Sequence, residues 1–207
     1  MTQHWKHIVD VMTEERGIEF DDGLSNDELR SLEQEFGFTF PTDLAEFLQI
    51  GLPVSERFPD WRNGERDDLR SWLDLPRAGI MFDVENNDFW LSEWGVRPTD
   101  ADAAKTRVTE LIQRAPTLIP IYAHRMIPDR PNTIGNPVFS VHQADIIYYG
   151  CDLRDYFIHE FFSGSEMGVW PIATESIREI EFWDLDRFAT RWDRGPNTFD
   201  GSSETMR

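Results

Sequence analysis

Residues 24–48 read LSNDELRSLEQEFGFTFPTDLAEFL, and this stretch spells out two helices and the turn between them. Ser25 is placed to cap the first helix, and Glu28, three residues later, completes a capping box in which each residue's side chain satisfies the other's backbone N–H. Leu24 before the cap and Leu29 after it form a hydrophobic staple. Leu29, Leu32 and Phe36 mark one buried stripe, and Gly37 offers the left-handed exit that a side chain disfavours. Pro41 fits the first turn of the next helix, where a missing N–H costs nothing. Leu44, Phe47 and Leu48 then give that helix its apolar face, which ends at Gly51 and Pro53.

Upstream, Trp5, Ile8, Val9 and Met12 recur at helical spacing over residues 4–16, and Gly17 stops the helix. His4 and His7, one turn apart, read as a surface pair because no third ligand accompanies them. Downstream, residues 54–64 are aromatic and turn-rich. A short helix around Leu69, Trp72 and Leu73 is expected to end before Pro76. Residues 79–84 read as a strand, 85–88 (Glu-Asn-Asn-Asp) as a turn and 89–94 as the second strand of a hairpin. Thr99 or Asp100 opens a helix with Val108, Leu111 and Ile112 inward, closed by Pro116. Strands follow at 118–122, 137–141 and 146–149. Asp152 then caps a helix holding Leu153, Tyr156, Phe157 and Phe161. Residues 164–168 read as a loop. A last apolar set comprises Ile180, Phe182, Trp183, Leu185, Phe188 and Trp192. This order of helices, strands and helices indicates an α+β fold rather than a regular βαβ alternation. It predicts one domain over 1–193, with its core in 24–185, and a flexible tail over 194–207 rich in Gly, Pro, Asn, Ser and Thr.

The 207 residues are enough to bury roughly 70 % of the extended chain's surface, so neither metal nor disulfide is needed to hold a core. Forty per cent apolar content with 15 Phe and 8 Trp excludes wholesale disorder. The single cysteine, Cys151, excludes an internal disulfide framework and a multi-cysteine zinc site. Charge is the strongest compositional signal. Twenty basic residues against 39 acidic give −19 and a pI near 4.5. Such a field repels nucleic-acid phosphates and anionic membranes and steers basic proteins toward the chain, although acidity also simply maintains solubility. No apolar run reaches the roughly 18 residues of a membrane span, and residues 1–16 lack a leader pattern, so the expected location is the cytoplasm.

Catalytic signals are sparse. Asp83-x-Glu85-x-x-Asp88 loosely matches carboxylates that could hold calcium, but it lacks the spacing and glycine of a calcium loop. His142 and Asp145 lie between two strand candidates, and His124 closes an earlier one, so neighbouring strands would bring the three to one rim. A His–Asp pair there could orient a general base. Cys151 could pair with His124, His142 or His159, but a structural cysteine is the simpler reading. No phosphate-cradling glycine loop and no nucleophile elbow occur. Trp61, Trp90, Trp94 and Trp170 sit beside turns, where exposed indoles ringed by acid would suit a protein interface.

Several of these motifs, in this order, resemble the SMI1/KNR4 (SUKH) family, particularly its bacterial branch. The resemblance is carried by Leu24-Ser-x-x-Glu28, Leu32-Glu33, Phe38-x-Phe40-Pro41-x-Asp43-Leu44-x-x-Phe47-Leu48 and Leu52-Pro53. It continues in Trp61-Arg62, Phe82-Asp83-Val84-Glu85, Gly135-Asn-Pro-Val-Phe-Ser-Val141, Asp145-Ile-Ile-Tyr-Tyr-Gly150, Asp152-Leu153-x-x-Tyr156 and Ile180-x-Phe182-Trp183. Ile50-Gly51-Leu52 departs from it, since many members carry an Asn-Gly-Gly turn there. The resemblance implies an α+β domain with a mixed, largely antiparallel sheet flanked by helices, and Pro137, Gly150 and Asp152 as architectural residues. It implies no enzymatic activity, catalytic residue or cofactor, and a role such as immunity protein against a secreted toxin, often a nuclease.

Charge and resemblance together lead us to expect a non-enzymatic domain whose acidic surface binds a basic protein, a toxin domain being the favoured partner. The expected contacts are Asp83, Glu85, Asp88, Trp90 and Glu93 on the 79–94 hairpin, with Tyr148 and Tyr149 if their strand faces outward. A scaffold domain without a toxin partner, and a small-molecule or enzymatic site at the His124, His142 and Asp145 rim, are the alternatives.

Overall fold

The structure, a computed structural model, describes residues 2–162 and 177–183. The helical pair read from residues 24–48 is present. Helix α1 covers Thr2–Arg16, α2 Asn26–Phe36 and α3 Thr42–Ile50. The capping box of α2 closes in both directions, with Ser25 N donating to Glu28 Oε2 at 2.8 Å and Glu28 N donating to Ser25 Oγ at 3.2 Å. Leu24 and Leu29 are both buried beside it, and Gly37 ends the helix at φ 75°. Pro41 sits one residue earlier than expected, as the N-cap of α3. Between α1 and α2 lies β1, Phe20–Asp22, which pairs antiparallel with β2, Gly51–Pro53. The sequence reading contained neither three-residue strand.

The expected hairpin over 79–94 does not form. Helix α4 runs unbroken over Arg66–Asn86, through Pro76. Leu69, Pro76, Ile80, Asp83 and Val84 are buried, which is one face at a period of 3.6. The proline ring lies on that face, so burial compensates the hydrogen bond it removes. Gly79 acts as a contact rather than a breaker, because a Cβ there would stand 2.6 Å from Gln143 Cα. Residues 89–94 make no strand. Phe89, Leu91 and Trp94 turn inward from an irregular segment with a 3₁₀ turn at Ser92–Trp94. Asp100 caps α5, Ala101–Ile112, by accepting from Ala103 N.

Strands β3 (Leu118–Tyr122), β4 (Arg125–Pro128), β5 (Val138–His142) and β6 (Asp145–Gly150) form a four-stranded meander in that order. The sheet was expected to be mixed but largely antiparallel, and among the described residues every strand pair in both sheets is antiparallel. β4 was not foreseen. Helix α6, Leu153–Phe161, is capped by the Asp152 side chain as expected. Gly150 serves close packing rather than a turn: it ends β6, and a Cβ would lie 2.7 Å from Tyr156 Cβ.

Strand alternation gives the four-stranded sheet two buried faces. Ile119, Ile121, Ile127 and Val138 join α1, α2, α3 and α6 in one core, with Phe47 and Phe157 near its centre. Leu118, Met126, Phe139, Val141 and Ile146 join α4 and α5 in the other. Ile180, Phe182 and Trp183 complete the second core, where Trp183 Nε1 donates to Pro116 O at 2.7 Å. The architecture is therefore α+β, as expected. The loop at 164–168, Leu185, Phe188, Trp192 and the tail at 194–207 lie outside the described residues. No helix among the described residues is long and apolar enough to cross a membrane.

The α2 cap supports a first test. Arg62 donates to Glu28 Oε1 at 2.7 Å, and this contact with the Ser25 bonds lowers the Glu28 carboxyl to about 2. A lowered carboxyl contributes stability above its ordinary value, lost as pH falls from about 4.5 toward about 2. Because Glu28 is solvent-exposed, the contribution is modest. Urea unfolding should show Ser25→Ala destabilised by about 1 kcal/mol at neutral pH. Glu28→Gln should flatten the acid limb of the wild-type stability profile.

Candidate partner-binding surface

Replacing the predicted hairpin by α4 divides the expected contacts. In a strand, Asp83 and Glu85 would share a face. In the helix, Asp83 falls in register with Ile80 and Val84 and turns inward. It is 6 % exposed and anchors two elements: Oδ2 accepts from Ala144 N at 2.8 Å, and Oδ1 accepts from Asn87 Nδ2 at 2.5 Å. Asp83 is thus a structural link between α4 and the β5–β6 turn, not a partner contact. Asp83→Ala leaves the buried Ala144 N–H unpaired and should cost about 2–3 kcal/mol in chemical denaturation.

Glu85, Asp88 and Glu93 remain on the surface. Glu85 pairs with Lys105 at 2.9 Å, raising the Lys105 pKa, and Asp88 pairs with Arg97 at 3.1 Å. Glu93 is exposed on the 3₁₀ turn. Trp90 is half-buried. Its Nε1 donates to Gly95 O at 2.8 Å, and the Arg97 guanidinium stands 5.9 Å from its ring centroid. Beside Gly95, Val96 is 96 % exposed, and on α4 Phe82 is 49 % exposed. Asp100 and Asp102 extend the acidic rim along the start of α5. The surface is therefore apolar at Val96, half-aromatic at Trp90 and edged by carboxylates that outnumber Arg97 and Lys105, with Phe82 a separate exposed apolar side chain on α4. Sequence reading missed Val96 and Phe82. It also missed the exposed acids Asp21 and Asp22 on β1, which together with Glu28 hold the Arg62 pKa up. Of the turn-side tryptophans, Trp61 and Trp94 are buried and Trp170 lies outside the described residues, leaving Trp90 as the indole at this surface.

Tyr148 and Tyr149 point to opposite faces of β6. Tyr148 stacks on Phe139 at 5.1 Å in the second core. Tyr149 packs against the first core, with Arg125 at 3.6 Å from its ring centroid. Neither belongs to the surface around Glu85, so that part of the expected contact set is not brought together.

The histidine rim does assemble. His142 and Asp145 are register partners across the β5–β6 turn. His124 lies in the β3–β4 turn beside it, its carbonyl accepting from Val141 N at 2.9 Å. Burial, then the nearby Arg125, with His142 and Arg57 beside it, lowers the His124 pKa. In the window between that lowered value and the ordinary 6.5, the unfolded chain binds more protons than the folded one. The His124 contribution therefore destabilises the fold as pH falls through that window. Denaturation between about pH 7.5 and about pH 5 should show a shallower loss for His124→Gln than for the wild type.

Cys151 is half-buried, and burial with the nearby Asp155 carboxylate pushes its thiol up to about 11. A thiol held protonated at neutral pH is a poor nucleophile. Asp83, Glu85 and Asp88 do not converge, and no group of three or more His, Cys, Asp or Glu among the described residues is arranged to hold a metal.

Comparison with known proteins adds no relative. No family model matches the chain, and neither the curated proteins nor the solved structures contain a match.

Proposed function

We propose that this chain is a non-enzymatic, cytoplasmic protein-binding domain that docks a basic partner on the surface formed by Glu85, Asp88, Trp90, Glu93 and Val96. The observation that carries the reading is the fully exposed Val96 beside half-buried Trp90, edged by carboxylates, in a chain of net charge −19. Apolar anchors with an opposite-charge rim are the elements of a specific interface: the anchors supply affinity and the charges supply approach rate and partner choice. Lys105 and Arg97 already satisfy two of the carboxylates. A basic partner would exchange for those contacts, favouring arginine, whose planar fork bonds two carboxylate oxygens at once.

The favoured partner is a toxin domain of the nuclease type, which makes this chain an immunity protein. A nuclease needs a cationic groove to hold phosphate, and an acidic surface can occupy that groove in place of the polyanion. The resemblance to the bacterial SMI1/KNR4 branch supports the same assignment. Co-expression tests it. A partner harmful when expressed alone should become harmless alongside this chain. A bound basic protein that is harmless alone would favour a scaffold role instead.

A further inference from the structure

At the end of the four-stranded sheet that holds the β3–β4 and β5–β6 turns, two arginines gather with His124 and His142, and the geometry points to a binding site there for a phosphate group, free or on a small ligand. This inference stands apart from the proposed function. Three chain segments meet at that end. The Arg57 carbonyl accepts from Ala123 N at 2.7 Å, tying the loop before α4 to the β3–β4 turn. The His124 carbonyl accepts from Val141 N at 2.9 Å, tying that turn to β5. Arg125 Nη1 donates to Ser140 Oγ at 2.9 Å and contacts His124 Nε2. Arg57, His124, Arg125 and His142 are thereby held at one place in a chain of net charge −19.

Two of the groups that act on the His124 ring, Arg125 and Arg57, are guanidinium cations. Arg57 is exposed, ion-paired with no carboxylate among the described residues, and poised 4.8 Å over the Tyr122 ring. Arg125 is spread on Tyr149 and nearly buried; Glu160, 3.8 Å from its Nε, offsets part of its charge. Asp145, across the β5–β6 turn from His142, and the buried Asp83, which accepts from Ala144 N in that turn, are further carboxylates at this end. Arginine forks and imidazole N–H groups converging from separate segments suit a tetrahedral oxyanion better than a planar carboxylate. Ala123 and Gln143, with φ of 50° and 55°, open the two-residue turns that bring the β3–β4 and β5–β6 strand ends together at this place.

The test is an NMR titration of the imidazole signals of the full chain with inorganic phosphate over the millimolar range, with sodium chloride at matched ionic strength and sodium acetate as parallel arms. The expected result is saturable movement of the His124 and His142 signals under phosphate, with His4 and His7 unmoved. Arg57→Gln, at an exposed side chain, and His142→Gln should each weaken phosphate binding about tenfold while leaving the backbone spectrum folded, since a charge-assisted hydrogen bond is lost in each. The assignment is overturned if no signal saturates, if all five histidines move together, or if chloride or acetate reproduces the effect. It is equally overturned if Arg57→Gln binds phosphate as tightly as the wild type.

Discussion

Truncating Trp61 to alanine should lower the unfolding free energy by about 4 kcal/mol. Trp61 is 2 % exposed and meets Phe36, Phe38 and Phe40 edge-on, at centroid distances of 6.0, 5.8 and 5.5 Å. Each edge contact adds to the area term. The site has little freedom to collapse. On its other side stand Leu44, Phe47, Pro53, Pro59 and Pro120, around a residual space of only about 10 Å³. Prolines fix their own backbones and cannot follow a receding side chain. Domains of this size are stable by about 5–15 kcal/mol, so the variant should remain folded but with a much lower denaturation midpoint. Guanidinium unfolding measures it, and a loss under about 1 kcal/mol would mean that the indole does not occupy this core.

The largest expected effect on binding comes from reversing the surface acids. Glu85→Lys, Asp88→Lys and Glu93→Lys combined change the local charge by six units and place lysines beside Lys105 and Arg97. Association with a basic partner should slow by about ten- to a hundredfold at low ionic strength, and the dependence of that rate on salt should shrink. Dissociation should change less, because Trp90 and Val96 are retained. The fold should tolerate all three changes, since the acids are exposed and their ion pairs each contribute under about 1 kcal/mol. Asp83 provides the internal contrast. Its substitution should destabilise the fold while leaving the association rate of the folded fraction unchanged. Stopped-flow association across ionic strength, beside denaturation curves, separates the two roles.

That contrast also shows where the sequence was readable. The ends of α2 were legible because the groups that make each lie within a few residues: Ser25 and Glu28 bond reciprocally between Leu24 and Leu29 at the start, and Gly37 N donates to Glu33 O at the end. Helix α4 was not. Pro76 and Gly79 are local breakers, and only the contacts of the assembled fold, the buried Pro76 ring and the approach of Gly79 to Gln143, turn them into helix residues. The consequence reaches the site, because exchanging a period of 2 for 3.6 rotates Asp83 inward while Glu85 stays out. Strands β1, β2 and β4 have three or four residues each, and the strand that pairs with them decides their state more than their own composition does. Val96 carried no sequence signal, since exposure of a single valine depends on the path of the loop. The histidine rim was legible in outline because two-residue turns bring strand ends together, and His142 and Asp145 flank one.

The most direct test is affinity capture from the source cells and their secreted fraction, using the wild type and the Glu85→Lys, Asp88→Lys, Glu93→Lys variant side by side at low and high salt, read by mass spectrometry. The expected result is one strongly basic protein, retained by the wild type at low salt and lost both at high salt and with the variant. Equal capture by both forms, or capture of neutral and acidic proteins indifferent to salt, would contradict an acidic docking surface at this place.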